Sequence, residues 1–154
     1  KGTYYYPSFF NELKTSSSKL LTKGKSKIVK LCQEDTALKM TYMLRSPFDK
    51  AFLSYMTPSL LYYEPSVKMA AKTGSTPSSS YVVGYNSKYT IGVYVGNDEN
   101  KDVHDKKLAK ILFKEIVSSI IKKDENVFFT PSSSLKPFSI LNTKTNQKSF
   151  TYYR

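Results

Sequence analysis

A chain of 154 residues and 17.6 kDa suffices for one domain or a large piece of one, and 40% hydrophobic with 14% aromatic content argues against disorder. One cysteine, Cys32, and one histidine, His104, exclude an internal disulfide, a thiolate or His-rich metal site and a catalytic His pair, and no cofactor is expected. The net charge of +12 is carried mostly by lysine and suits a polyanion; with only Arg45 and Arg154 for bidentate contacts, a specific nucleic-acid reader is not expected.

Lys1-Gly2-Thr3-Tyr4-Tyr5-Tyr6-Pro7 reads as a turn into a short aromatic strand. Residues 14–27 read as a hairpin tip or loop flanking Leu20-Leu21, followed by a short strand at Ile28–Leu31. From Asp35 to Phe52 the spacing predicts a helix with Ala37, Leu38, Tyr42, Met43 and Leu44 near one face, ended or kinked by Pro47. An irregular connection punctuated by Pro58 and Pro65 covers 53–66.

Three strands follow in the reading. Val67–Lys72 places Val67, Met69 and Ala71 on one face. Tyr81–Tyr85 and Tyr89–Gly96 are joined by Asn86-Ser87-Lys88, a length suited to a hairpin. Short connections predict an antiparallel sheet. A helix over 103–122 has a stripe of Leu108, Ile111, Leu112, Ile116 and Ile120, with acidic residues near its start and Lys122-Lys123 near its end. Residues 127–154 read as an extended tail with one short strand at Val127-Phe128-Phe129, which sets a boundary at 126. The fold class is α+β, an antiparallel sheet with packed helices. No apolar run reaches the ~20 residues of a membrane span, and no charged-then-apolar leader opens the sequence.

Lys72-Thr73-Gly74-Ser75-Thr76, read as ending a strand and opening a loop, carries the chemistry. It is not a phosphate loop, which needs Gly-Lys-Ser/Thr entering a helix after a glycine-led turn. A lysine cation, small hydroxyls and a glycine at a strand edge instead let a carboxylate and its backbone approach closely. In order, Ala70-Ala71-Lys72-Thr73-Gly74-Ser75-Thr76, Tyr81-Val82-Val83-Gly84-Tyr85 and Tyr89–Asp98 resemble the transpeptidase domain of class A penicillin-binding proteins. Gly2–Pro7, Gln33–Leu44 and 103–122 are similar to a strand and two helices of the same family.

The resemblance implies a partial serine-transpeptidase fold, related to β-lactamases, over residues 1–126. It further implies acyl-serine transfer that cross-links peptidoglycan stem peptides, with β-lactam antibiotics as acylating ligands. By that resemblance Lys72 would belong to the proton-transfer network. Thr73 and Ser75 would bind a carboxylate, and Gly74 would keep the edge open for the ligand. The Ser75 N–H would be an oxyanion donor, with Thr76 beside it in the substrate-binding run. Ser75 stands where the family more usually has threonine, and Pro77-Ser78-Ser79-Ser80 lacks the family's charged stretch.

The family also needs Ser-x-x-Lys and Ser-x-Asn. The second is absent, and so is Tyr-x-Asn. The first occurs at Ser16–Lys19, Ser119–Lys122 and Ser133–Lys136, about as often as 21 serines and 22 lysines produce by chance, and each time in the wrong place. The expected reading is therefore the C-terminal part of a transpeptidase domain. The nucleophile belongs to a missing N-terminal part, in an extracytoplasmic, membrane-anchored bacterial parent. The alternative is a basic, non-catalytic module for polyanions, either nucleic acid or an anionic cell-wall polymer, using the lysines and the 123–154 tail.

Overall fold

The computed structural model describes residues 2–99, 101–122 and 128–154. The fold is α+β with antiparallel sheets, and the chain divides into two compact units, Lys1–Ala37 and Leu38–Arg154.

In the first unit, β1 (Thr3–Tyr5) pairs antiparallel with β4 (Ile28–Lys30), and β2 (Glu12–Lys14) with β3 (Leu20–Lys23). Hydrogen bonds from Tyr6 N to Lys27 O (2.9 Å) and from Gly24 N to Asn11 O (2.8 Å) carry the pairing towards the interruption from both sides, so the four strands form one two-stranded ribbon. Its tip is shorter than the sequence suggests. The turn closes at Thr15–Lys19, with Ser18 at φ +65°, and Leu20–Lys23 is strand.

The helix α1 (Glu34–Met43) stops short of Pro47, because a proline ring has no N–H to donate and blocks a continuing turn. Two one-turn 3-10 segments, Ser46–Phe48 and Lys50–Phe52, replace the rest of the expected helix. The second is capped by Asp49, whose carboxylate accepts from Ala51 N at 3.0 Å. Within the second unit α1 buries Leu38 and Tyr42 of the expected face, together with Thr41, and leaves Met43 exposed.

The central sheet is β5 (Ala70–Thr76), β6 (Ser79–Tyr85) and β7 (Thr90–Gly96), antiparallel in the order β5-β6-β7. Asn86 shapes the β6–β7 connection by accepting from Lys88 N (2.9 Å) and Tyr89 N (2.8 Å) through one side-chain oxygen. β5 begins later than expected. Val67 and Met69 are buried in the approach to it, and Lys72–Thr76, expected to leave the strand for a loop, continue it. Thr76 pairs with Ser79 across a two-residue turn, Pro77-Ser78, so the ladder runs to the end of the motif.

The helix α2 (Leu108–Ile120) covers one face of this sheet, in contact with β6 and β7. It starts five residues after the expected 103, beyond a turn in which Asp105 accepts from Lys107 N at 2.8 Å. Its buried residues are Ala109, Phe113 and Val117; of the expected stripe, Ile116 is half-buried against the core, and Leu108, Ile111, Leu112 and Ile120 are exposed. The helix is apolar on more than one side, so periodicity alone cannot choose which side is buried. Shape chooses it: small Ala109 admits close approach, and the Phe113 ring sits over Gly84. A Cβ added at Gly84 would lie 2.8 Å from Phe113 Cε2 and 3.2 Å from the Ala70 carbonyl oxygen. Because Phe113 is fully buried, Gly84→Ala should cost about 1–3 kcal/mol by overpacking. A urea unfolding curve reads this directly, and an unshifted midpoint would contradict that packing.

The rest of the core is Phe48, Leu60, Val67, Met69, Ala71, Val82, Val93 and Ile121. The segment expected as an extended tail is in fact paired. β8 (Pro137–Phe138) with β11 (Tyr152–Tyr153) and β9 (Leu141–Asn142) with β10 (Gln147–Lys148) form a hairpin whose turn holds Asn146 at φ +54°. Asn142, fully buried, donates to Ala51 O and Ser54 Oγ, each at 2.6 Å, and docks the hairpin on the 3-10 segments. The strand expected at 127–129 and the boundary at 126 touch residues outside those described. Phe128 and Phe129 are not in a strand; they pack edge-on against Tyr42 and Tyr85.

Candidate functional site

Residues opposite one another in an antiparallel ladder point to the same face. The rows Ala71–Gly84–Ile91, Thr73–Val82–Val93 and Ser75–Ser80–Val95 therefore share a face. The contact between Gly84 and Phe113 marks it as the α2 face. Lys72, Gly74 and Thr76 project to the other face, where they meet Val83, Tyr81 and Ser79 in register. The motif thus straddles its strand, with Lys72 on one side and Thr73 and Ser75 on the other.

β5 is an edge strand, and the direction of its backbone groups follows from one bond. Ala71 N donates to Leu44 O at 2.9 Å, so Ala71 turns its N–H away from β6. Alternation then directs the amides of Thr73 and Ser75 to the same open edge. Lys72 Nζ reaches round to donate to Thr73 O at 2.8 Å on that edge. The edge accordingly presents an ammonium group, two amide donors and a glycine between them. Gly74 leaves space, since an added Cβ would approach nothing nearer than Tyr81 at 3.9 Å.

The hydroxyls differ in their engagement. Thr73 Oγ1 donates to Ser59 Oγ at 2.9 Å, so its proton is already committed within the fold. Ser59 belongs to the irregular connection, and no sequence signal pointed to it. Thr76 Oγ1 and Ser79 Oγ share a 2.6 Å hydrogen bond across the turn, which assigns Thr76 to closing the hairpin. Ser75 and Lys72 are exposed.

None of the three Ser-x-x-Lys pairs gains support as a nucleophile. Ser16 lies in the exposed ribbon turn, and Ser133 is exposed in the C-terminal segment. Ser119 Oγ donates to Ile116 O at 2.9 Å on α2, across the sheet from the face that carries Lys72. His104 is exposed ahead of α2, and among the described residues no group of three or more His, Cys, Asp or Glu is placed to hold a metal ion. Among the described residues no helix is long and apolar enough to cross a membrane.

A second polar cluster was invisible to sequence reasoning. Buried Asp49 accepts from Phe150 N (2.8 Å) and Tyr152 Oη (2.7 Å). Burial, and then the hydrogen bond to Asp49, raise the Tyr152 phenol above its ordinary range. Arg45, also buried, pairs with Glu64 at 3.2 Å and stacks over the Phe150 ring, 4.3 Å from its centroid. The partners of Asp49 lie about a hundred residues along the chain, and among the buried side-chain polar atoms of the described residues Arg45 Nε alone lacks a hydrogen bond, which marks the cluster as structural.

No family model matches the chain. Over 135 residues it is 23% identical to penicillin-binding protein 2D of Bacillus subtilis. The similarity is to a penicillin-binding protein. The alignment takes in 84% of this chain and 20% of that protein, so the chain spans about a fifth of the length of the curated relative it matches.

Proposed function

We propose that this chain is the C-terminal part of a serine-type D,D-transpeptidase domain of the class A penicillin-binding kind, with residues 1–126 belonging to that domain and 127–154 following it. The observation that carries the reading is the open edge of β5, where Lys72, two outward amides and Gly74 lie together. A peptide or β-lactam laid along this edge meets backbone donors in line, with the Lys72 cation on one side and the Ser75 hydroxyl on the other. The ordered motif series and the similarity to a penicillin-binding protein support the same assignment.

In this reading a serine of the longer parent attacks the ligand carbonyl. The Ser75 N–H, directed to the edge, is one of two donors that hold the oxyanion as it forms, and such a donor typically contributes about 2.7–4 kcal/mol to lowering the barrier. Lys72 completes the proton network around the nucleophile. Gly74 admits the ligand backbone, and Thr73 and Ser75 take its carboxylate. For Thr73 this requires its hydroxyl to turn from Ser59. Collapse of the tetrahedral adduct breaks the scissile amide and expels the donor peptide's terminal residue as a free, protonated amine. The acyl-serine is then attacked by the amine of a second peptidoglycan stem peptide, which takes the acyl group and frees the serine. The parent works outside the cytoplasm, attached to the membrane by an anchor of its own.

Fluorescent penicillin, followed by intact-mass measurement, tests the assignment on this chain and on the longest parent that contains it. The expected result is labelling of the parent alone. Labelling of the short chain would mean that a Ser-x-x-Lys pair within it is a real nucleophile. An unlabelled parent would reduce the resemblance to one of fold.

A further inference from the structure

The ribbon formed by β1–β4 has no buried residue. Ten of its large apolar side chains, from Tyr4 to Leu31, are exposed. A two-stranded hairpin is marginal in water without an apolar face to cover, and an exposed apolar surface of this extent marks an interaction site.

The most exposed of these residues is Phe9, 103% accessible, beside exposed Phe10 in the interruption between β1 and β2. The turn that presents them is braced. Ser8 Oγ donates to Phe10 O at 2.6 Å, Ser26 Oγ donates to Tyr6 O at 2.6 Å, and the backbone bonds at Tyr6 and Gly24 close it on either side. Gly24 is required there, because an added Cβ would run into the Phe10 carbonyl. The fold thus holds an aromatic pair out in solvent on a rigid knuckle.

Charge identifies what covers it. Between residues 3 and 31 there are six lysines and one acidic residue, Glu12, which is shared between Lys14 at 2.7 Å and Lys23 at 3.7 Å and so leaves a large positive excess. Lys23, Lys25 and Lys27 lie in the strand-and-turn segment opposite the aromatic knuckle. A second copy brings the same positive charge and is repelled. The aliphatic members, Leu13, Leu21 and Ile28 among them, do not stack on bases, and the ribbon has no arginine for phosphate forks. Apolar side chains interleaved with lysines match the interface of an anionic bilayer, where rings enter the acyl boundary while ammonium groups remain among the head groups.

We propose that the ribbon docks on an anionic lipid surface, with Phe9 and Phe10 entering the interface and Lys23, Lys25 and Lys27 engaging the head groups. In the transpeptidase reading the rest of the domain is a rival occupant. The longest parent is therefore expected to bind the same vesicles as this chain; binding by the short chain alone would overturn the proposal and assign the ribbon to that remainder.

The experiment is flotation of the 154-residue chain with vesicles of equal parts phosphatidylglycerol and phosphatidylcholine, and with phosphatidylcholine alone. Binding is expected to the anionic vesicles only and to weaken as salt rises. Phe9→Ser with Phe10→Ser should weaken it by about tenfold, and Lys25→Glu and Lys27→Glu by about fivefold or more for each lysine lost. All four side chains are exposed, so the variants should keep the parent circular dichroism and urea midpoint, which separates lost binding from lost folding. Absent binding, equal binding to neutral vesicles, or indifference to the phenylalanine changes would each overturn the proposal. Capture of a single-stranded oligonucleotide that these changes abolish would reassign the surface to nucleic acid.

Discussion

Replacing Asp49 with alanine should destabilise the second unit by about 3–5 kcal/mol, because it strands several buried donors at once. The Asp49 carboxylate, 1% exposed, accepts from Ala51 N, Phe150 N and Tyr152 Oη. The first bond shapes the 3-10 segment, and the other two fasten the C-terminal hairpin to it. Without the carboxylate, the Phe150 amide and the Tyr152 hydroxyl remain in a site with little access to water. Urea unfolding monitored by tyrosine fluorescence should show a lower midpoint, and limited proteolysis should release the segment after 128 first. Asp49→Asn should lose less, since it keeps the shape and one acceptor oxygen. A loss below about 1 kcal/mol for the alanine variant would mean that apolar packing alone retains the hairpin.

Lys72→Ala in the longest parent should slow penicillin acylation by about 10²- to 10⁴-fold, the range for removing a positioned proton-transfer group. The expected stability change is small. Lys72 is exposed, and its one hydrogen bond among the described residues goes to the neighbouring Thr73 carbonyl. Lys72→Arg separates two contributions. Arginine keeps the cation that attracts a ligand carboxylate but does not release a proton near neutral pH, so initial binding should survive better than the acylation step. Stopped-flow acylation over a range of penicillin concentrations reads the two parameters apart. Labelling of the alanine variant at the parental rate would remove Lys72 from the mechanism.

Most of the central sheet was legible in the sequence because its signals are local. Ile91, Val93 and Val95 alternate with Thr90, Gly92 and Tyr94, and Asn86 closes the turn with its own side chain. The Lys-Thr-Gly run was legible for the same reason, although its place inside the ladder depended on pairing with Ser79–Tyr85. The second helix was found, but its buried side was misjudged. Ile111 and Leu112 are as apolar as Phe113, and only the hollow at Gly84 decides which one packs.

The C-terminal hairpin and its anchors were not legible. Nothing near Asp49 or Asn142 in sequence indicates that either is buried, because their partners lie about a hundred and about ninety residues away. What the sequence determined by itself is the central strands and the two helices, the strong positive charge and the order of motifs, since these depend on neighbours within a few residues. The tertiary structure alone decided that β5 has an open edge with Lys72 on one face and Ser75 on the other, and that polar groups at 49 and 142 hold the end of the chain. Those outcomes rest on which distant surfaces meet, and a buried hydrogen bond or a fitted ring selects its partner only after they have met.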